Sequence, residues 1–146
     1  MKANRKGFTL IELLAVIVIL AIIALIATPM ILGVIDSAKR GAAESSAYGY
    51  VDSVEKSSLK DMIDNNGNTL VDDTYSISSD GKVLTANTKM EADGTTPVTI
   101  NVSFKGDSPK GVDDSVTIAG GEITAATLTI NGYVVTYDGK KATAAR

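Results

Sequence analysis

The 146-residue chain contains no cysteine, no histidine and no tryptophan, and only two phenylalanines and three prolines. Lack of cysteine excludes disulfides, thiolate nucleophiles and zinc-finger spacings, so a small exported domain would have to hold together through its core or its neighbours. Lack of histidine removes the commonest general base. Catalysis would fall to Ser/Asp or carboxylate pairs, and no spacing here suggests one, so neither an enzyme nor a cofactor is expected. Basic residues are scarce beyond the first six positions. Removing Lys2, Arg5 and Lys6 from the 14 basic residues leaves 11 against 17 acidic ones, a side-chain balance of −6 from Phe8 onward. Such an acidic, aromatic-poor body offers phosphates no basic stripe, and nucleic acid is not an expected partner.

What the chain does have is one long apolar run. Residues 13–27 are unbroken Leu, Ala, Val and Ile, and the run extends over 8–32 with only Thr9, Glu12, Thr28 and Pro29 interrupting it. Its length exceeds the ~20 residues a helix needs to cross a bilayer. The basic residues before it predict a cytoplasmic N-terminus and a single pass, with the body on the far side. Three readings compete: a permanent membrane anchor, a secretory signal cut near Ala27, and a retained helix preceded by a short cleaved leader. The second fits poorly. An ordinary signal has an apolar region of about 7–15 residues, and an acid at Glu12 is out of place in it.

The residues Lys6-Gly7-Phe8-Thr9-Leu10-Ile11-Glu12-Leu13-Leu14 resemble the prepilin motif of type IV pilins. The resemblance covers about the first 30 residues. It implies cleavage between Gly7 and Phe8 by a membrane aspartyl peptidase, methylation of the new Phe8 amine, and retention of the apolar run as a filament-forming helix. It further implies a homopolymeric, extracellular, non-enzymatic pilus subunit for adhesion or motility, built with a pilus assembly machinery. A pseudopilin of a type II secretion or DNA-uptake system shares the same motif. Outside the family, the rival is a membrane-anchored binding domain that never assembles. Pro29 lies where many pilins have a proline, and Ala21 stands where many have a helix-breaking glycine. Lack of the cysteine-closed loop common in Gram-negative pilins leans towards a Gram-positive source, and no sortase-type sorting motif is present.

Glu12 has a physical role in this frame. A carboxylate in a membrane helix costs roughly 2.5–3.5 kcal/mol at the bilayer centre and less near an interface. In a bundle of such helices it is suited to neutralise the Phe8 amine of a neighbour, which favours one register. The bland alternative is an interfacial acid without a partner. Pro29 reads either as a bend at the membrane exit or as a local melting point.

Helical spacing continues past the apolar run. Ile31, Ile35, Ala38 and Ala42 form a stripe that Ala47, Val51, Val54 and Met62 resume, with Asp52 and Lys56 as an i,i+4 pair. Gly49 weakens the helix locally, and residues 64–67 read as its stop signal. The expected divisions are a leader at 1–7, an apolar helix at 8–32, its amphipathic continuation at 33–67 and a sheet domain at 68–146.

From Asn68 the period changes to two. Residues 98–105 alternate cleanly, and Asn131-Gly132 between two apolar runs is a two-residue hairpin signal. Asp80-Gly81, Gly120-Gly121 and Asp138-Gly139 mark further turns. The expected fold is α+β, one long helix on an antiparallel sheet, with Val98 or its neighbours, Phe104, Leu128, Ile130 and Val135 on the buried side. Asp64, Asn66 and Asp73 have the oxygen-rich look of a calcium loop. Alignment on Gly67, however, puts Met62 at the first ligand position and Asp73 where a bidentate Glu belongs. A cap and a turn is the simpler reading. Asn101-Val102-Ser103 matches a glycosylation sequon by chance, in mid-strand. The acidic loops at 91–96 and 105–114 read as solvated.

Overall fold

The computed structural model describes residues 7–64, 72–91 and 93–146, with the backbone alone at 61, 62 and 64. Among these residues one helix, α1 (Leu10–Asp64), precedes seven strands. These are β1 (Asp73–Ile77), β2 (Val83–Met90), β3 (Pro97–Asn101), β4 (Ser115–Ala119), β5 (Glu122–Ile130), β6 (Tyr133–Tyr137) and β7 (Ala142–Ala145). The chain divides between Ala38 and Lys39 into two compact units. The first buried residue of the helix is Ala43.

In the first unit the helix starts at Leu10, two residues later than the apolar pattern suggested, and runs through Pro29 without a break. Its apolar side chains are exposed, from Leu10 at 83% to Ile35 at 44%.

The second unit is an α+β sandwich of two layers. Ala43, Ala47, Tyr50, Val51, Val54 and Ser58 form the buried stripe of α1. Ala42 is exposed; the stripe passes through Ala43 instead. Met62, expected to end it, has a side chain outside the described residues, and Ser58 occupies the turn after Val54. Its hydroxyl donates to the Glu55 carbonyl at 2.6 Å, which makes its burial affordable. Asp52 and Lys56 form the expected ion pair.

The sheet is wholly antiparallel in the order β3-β2-β1-β4-β5-β6-β7. Strand alternation puts Tyr75, Ile77, Leu84, Ile100, Val116, Ile118, Leu128, Ile130, Val135 and Ala144 against the helix. On the other face the register aligns Thr99, Thr85, Ser76, Ser115, Thr127, Thr136 and Thr143, one hydroxyl per strand. None of the seven is buried. These short β-formers keep that side polar without charge, so the sheet needs no second covering layer.

Two hairpins use the residues that left-handed turns require. Asn131 and Gly132 have φ of 53° and 81°, and Gly120 and Gly121 have 65° and 81°. The alternating segment at 98–105 is strand only to Asn101. Beyond it the chain leaves the sheet to pack Val102 and half-buried Phe104, whose ring meets Tyr50 edge-on at 5.6 Å between centroids. Gly49 gives that ring its clearance, since a Cβ there would approach it to 3.3 Å.

The crossover from β3 to β4 is exposed over most of its length, as its acidity suggested, but it is pinned at two points. Pro109 and Asp114 are buried. The Asp114 carboxylate accepts the N–H groups of Gly111 at 2.7 Å and Thr129 at 2.8 Å, and its carbonyl accepts from Ile77 at 3.0 Å. A Cβ on Gly111 would overlap both Asp114 and the Thr129 hydroxyl.

Candidate functional site

Gly7, Phe8 and Thr9 precede the helix in irregular backbone, and Phe8 is 91% exposed. The ladder of helical hydrogen bonds opens with Leu13 N–H donating to the Thr9 carbonyl at 3.2 Å. The Thr9 side chain marks this boundary. Its hydroxyl accepts from the Glu12 N–H at 3.3 Å and donates to Glu12 Oε2 at 2.7 Å, while Glu12 Oε2 accepts the Thr9 N–H at 2.8 Å. This is a capping box, in which two otherwise orphaned N–H groups are satisfied reciprocally across one turn. Glu12 therefore has a local partner. Its negative charge also lies in the first turn, where the helix dipole is positive.

Sequence reasoning identified Gly7, Phe8 and Glu12 and missed Thr9. The signal was present: Thr three residues before Glu, ahead of an apolar run, is the capping-box signature. The structure brings these four residues together at one helix end.

Pro29 stands apart from them, about 25 Å along the helix at 1.5 Å per residue. Next to it, Thr28 Oγ1 donates to the Ala24 carbonyl at 2.7 Å. Proline has no N–H to offer the Leu25 carbonyl, and the Thr28 hydroxyl goes to the neighbouring carbonyl rather than replacing that donor.

Of the calcium candidate, the Asp64 side chain and Asn66 lie outside the described residues. Asp73 is the first residue of β1 rather than part of a loop. Its Oδ2 accepts the N–H groups of Thr88 and Lys89 at 2.7 and 2.9 Å, and its Oδ1 that of Thr74 at 2.8 Å. The β2–β3 register slips between Thr85 and Met90, which frees the N–H groups of Thr88 and Lys89, and Asp73 takes them up. Desolvation pushes the Asp73 pKa up, but the hydrogen bonds from Thr88, Lys89 and Thr74 together hold it below the usual carboxylate range. Among the described residues no cluster of His, Cys, Asp and Glu is arranged to hold a metal.

The helix is long and apolar enough to cross a membrane. Residues 2–28 match the family described as the prokaryotic N-terminal methylation motif, the class III signal peptide of type IV pilins. Motif and apolar helix together support a type IV pilin-like or pseudopilin secreted protein with a membrane anchor before assembly, on a match that spans less than a fifth of the chain. A prepilin motif implies processing by a prepilin peptidase and assembly into a pilus-like filament. No curated protein and no solved structure matches the chain.

Proposed function

We propose that this chain is a structural, non-enzymatic subunit of a type IV pilus. It is cut between Gly7 and Phe8 and methylated on the Phe8 amine. It then leaves the cytoplasmic membrane to polymerise through residues 8–32 into an extracellular filament for adhesion or motility. The observation that carries this reading is the exposed apolar helix behind a methylation motif. Such a surface needs lipid or like helices around it, since exposed patches of this extent mark association sites.

Glu12 supports the same reading. In the single chain its carboxylate is held by Thr9, which lowers the cost of keeping an acid among apolar residues. After cleavage, Phe8 carries an amine one residue ahead of Thr9, at the same helix end as the Glu12 carboxylate. A neighbouring subunit then has a charge to match, and a buried charge left without one costs about 3–5 kcal/mol.

The test combines intact mass of the exported chain with electron microscopy of sheared cells, using antibody to this protein. Loss of seven residues with gain of one methyl group, together with labelled filaments, supports the proposal. An unprocessed chain, or one shortened by about 27 residues, overturns it. Correct trimming with only short stubs in the envelope would assign a pseudopilin instead.

A further inference from the structure

We infer that Thr9 is a positioning residue for the processing reaction, holding the scissile Gly7–Phe8 bond outside the helix. This deepens the proposed function and rests on cleavage occurring at that bond.

A peptidase attacks a carbonyl that is free of intrachain hydrogen bonds and reachable in extended backbone. In a helix, the residue at the N-cap position already contributes its carbonyl to the first intrahelical bond. Here that residue is Thr9, whose carbonyl accepts from Leu13, so the Gly7 carbonyl stands two residues ahead of the ladder. The start is fixed by three hydrogen bonds between Thr9 and Glu12, of 2.7, 2.8 and 3.3 Å.

Removing the cap leaves the first N–H groups of the helix without partners. Where the apolar run meets the hydrocarbon, water is scarcer than in bulk, so the chain recovers those bonds by winding further towards the N-terminus. The nearest residue able to serve as a cap upstream is Gly7, since glycine is tolerated there. A start at Gly7 would hand its carbonyl to the Ile11 N–H. The atom to be attacked would then be locked into the helix. Glu12 thus has a use before processing that is separate from charge pairing after it: it completes the box that keeps the cleavage site unwound.

The proposal predicts a rank order that depends on capping ability rather than on likeness to threonine. Full-length Thr9→Ser, Thr9→Asn and Thr9→Ala chains are compared as substrates of a prepilin peptidase in detergent. Backbone carbon shifts at residues 7–10 are recorded in the same micelles. Ser and Asn are good caps and should be cut within about twofold of the parent rate, whereas Ala should be cut roughly fivefold more slowly, the factor one ordinary cap supplies. The Ala chain should also show helical shifts reaching Phe8.

Equal cleavage of the Ala chain overturns the proposal, as do helical shifts at Gly7 and Phe8 in the parent. Slow cleavage of both Asn and Ala chains, with Ser unaffected, overturns it too, because the peptidase would then be reading the hydroxyl itself. A parent chain that is not cut after Gly7 at all sinks the processing reading beneath it, an outcome distinct from the other three.

Discussion

The Tyr50 hydroxyl, buried in the middle of the sheet unit, donates to the Gly81 carbonyl at 2.9 Å. One hydrogen bond thereby ties the helix to the β1–β2 turn. Gly81 has φ of 71°, and a Cβ there would press on Ser108 and Pro109, so the turn and the crossover close over the same point. Tyr50→Phe keeps the edge-on ring contact with Phe104 and removes only this bond. It should cost about 1–3 kcal/mol, the penalty for a buried carbonyl left unpaired, read as a lower urea midpoint at unchanged slope.

The same phenol sets an alkaline limit. Burial first, then the negative charges of Asp114 and Asp80, push the Tyr50 pKa well above its ordinary value of 10.0. A group whose folded pKa is raised contributes stability that is complete below the unfolded value and lost as pH climbs through the folded one. Unfolding free energy should therefore hold steady up to about pH 10 and fall above it. Tyr50→Phe should flatten that fall, which denaturant titrations at rising pH would register.

Asp114 fastens the crossover. Asp114→Ala strips the partners from two backbone N–H groups and should cost about 2–4 kcal/mol. Gly111→Ala should cost about 1–3 kcal/mol by overpacking against Asp114 and Thr129. Neither change touches the first unit, so processing after Gly7 should be normal in any molecules that fold. Thermal melts of the purified chain together with its intact mass would check both statements.

Strand β7 is secured from the helix side. Tyr48 Oη accepts the Ala142 N–H at 2.8 Å, and Glu44 Oε1 accepts the Ala144 N–H at 3.0 Å. Tyr48→Phe should speed amide exchange at Ala142 by about fivefold, and Glu44→Ala should do the same at Ala144, the factor equal to one hydrogen bond of about 1 kcal/mol. Exchange at Leu128, in the middle of the sheet, should stay unchanged.

Glu12→Gln separates two uses of one side chain. Glutamine can complete the capping box but carries no charge. Processing should continue close to the parent rate. Filament yield should fall on the order of a hundredfold if each subunit contact loses about 3 kcal/mol of charge compensation. Filaments as abundant as those of the parent would count against charge pairing as the assembly signal.

Much of this was legible in the residues, because the signals were local. The apolar run, the basic positions before it and the Glu12 offset are read within one segment. Asn131-Gly132 specifies its own hairpin through backbone conformation alone. What escaped depended on distant partners. Asp114 looked solvated among acidic neighbours, yet its two donors come from Gly111 and from Thr129 on β5. Asp73 reads from its neighbours as part of a turn, with a calcium loop as the alternative, because its donors Thr88 and Lys89 lie fifteen and sixteen residues on. Residues 142–145, Ala-Thr-Ala-Ala, have little strand propensity of their own. They are strand because β6 and the helix side chains Tyr48 and Glu44 make them so.

That last arrangement has a consequence for molecules held at high density in a membrane. A sheet normally ends in a row of donors that another copy can zip onto, the route to stacked fibrils. Here the helix spends a phenol and a carboxylate to seal one border, and the opposite border opens on Pro97, an imino acid with no proton to give. Crowded copies consequently meet with little temptation to stitch strand to strand, leaving their cohesion to the apolar helices.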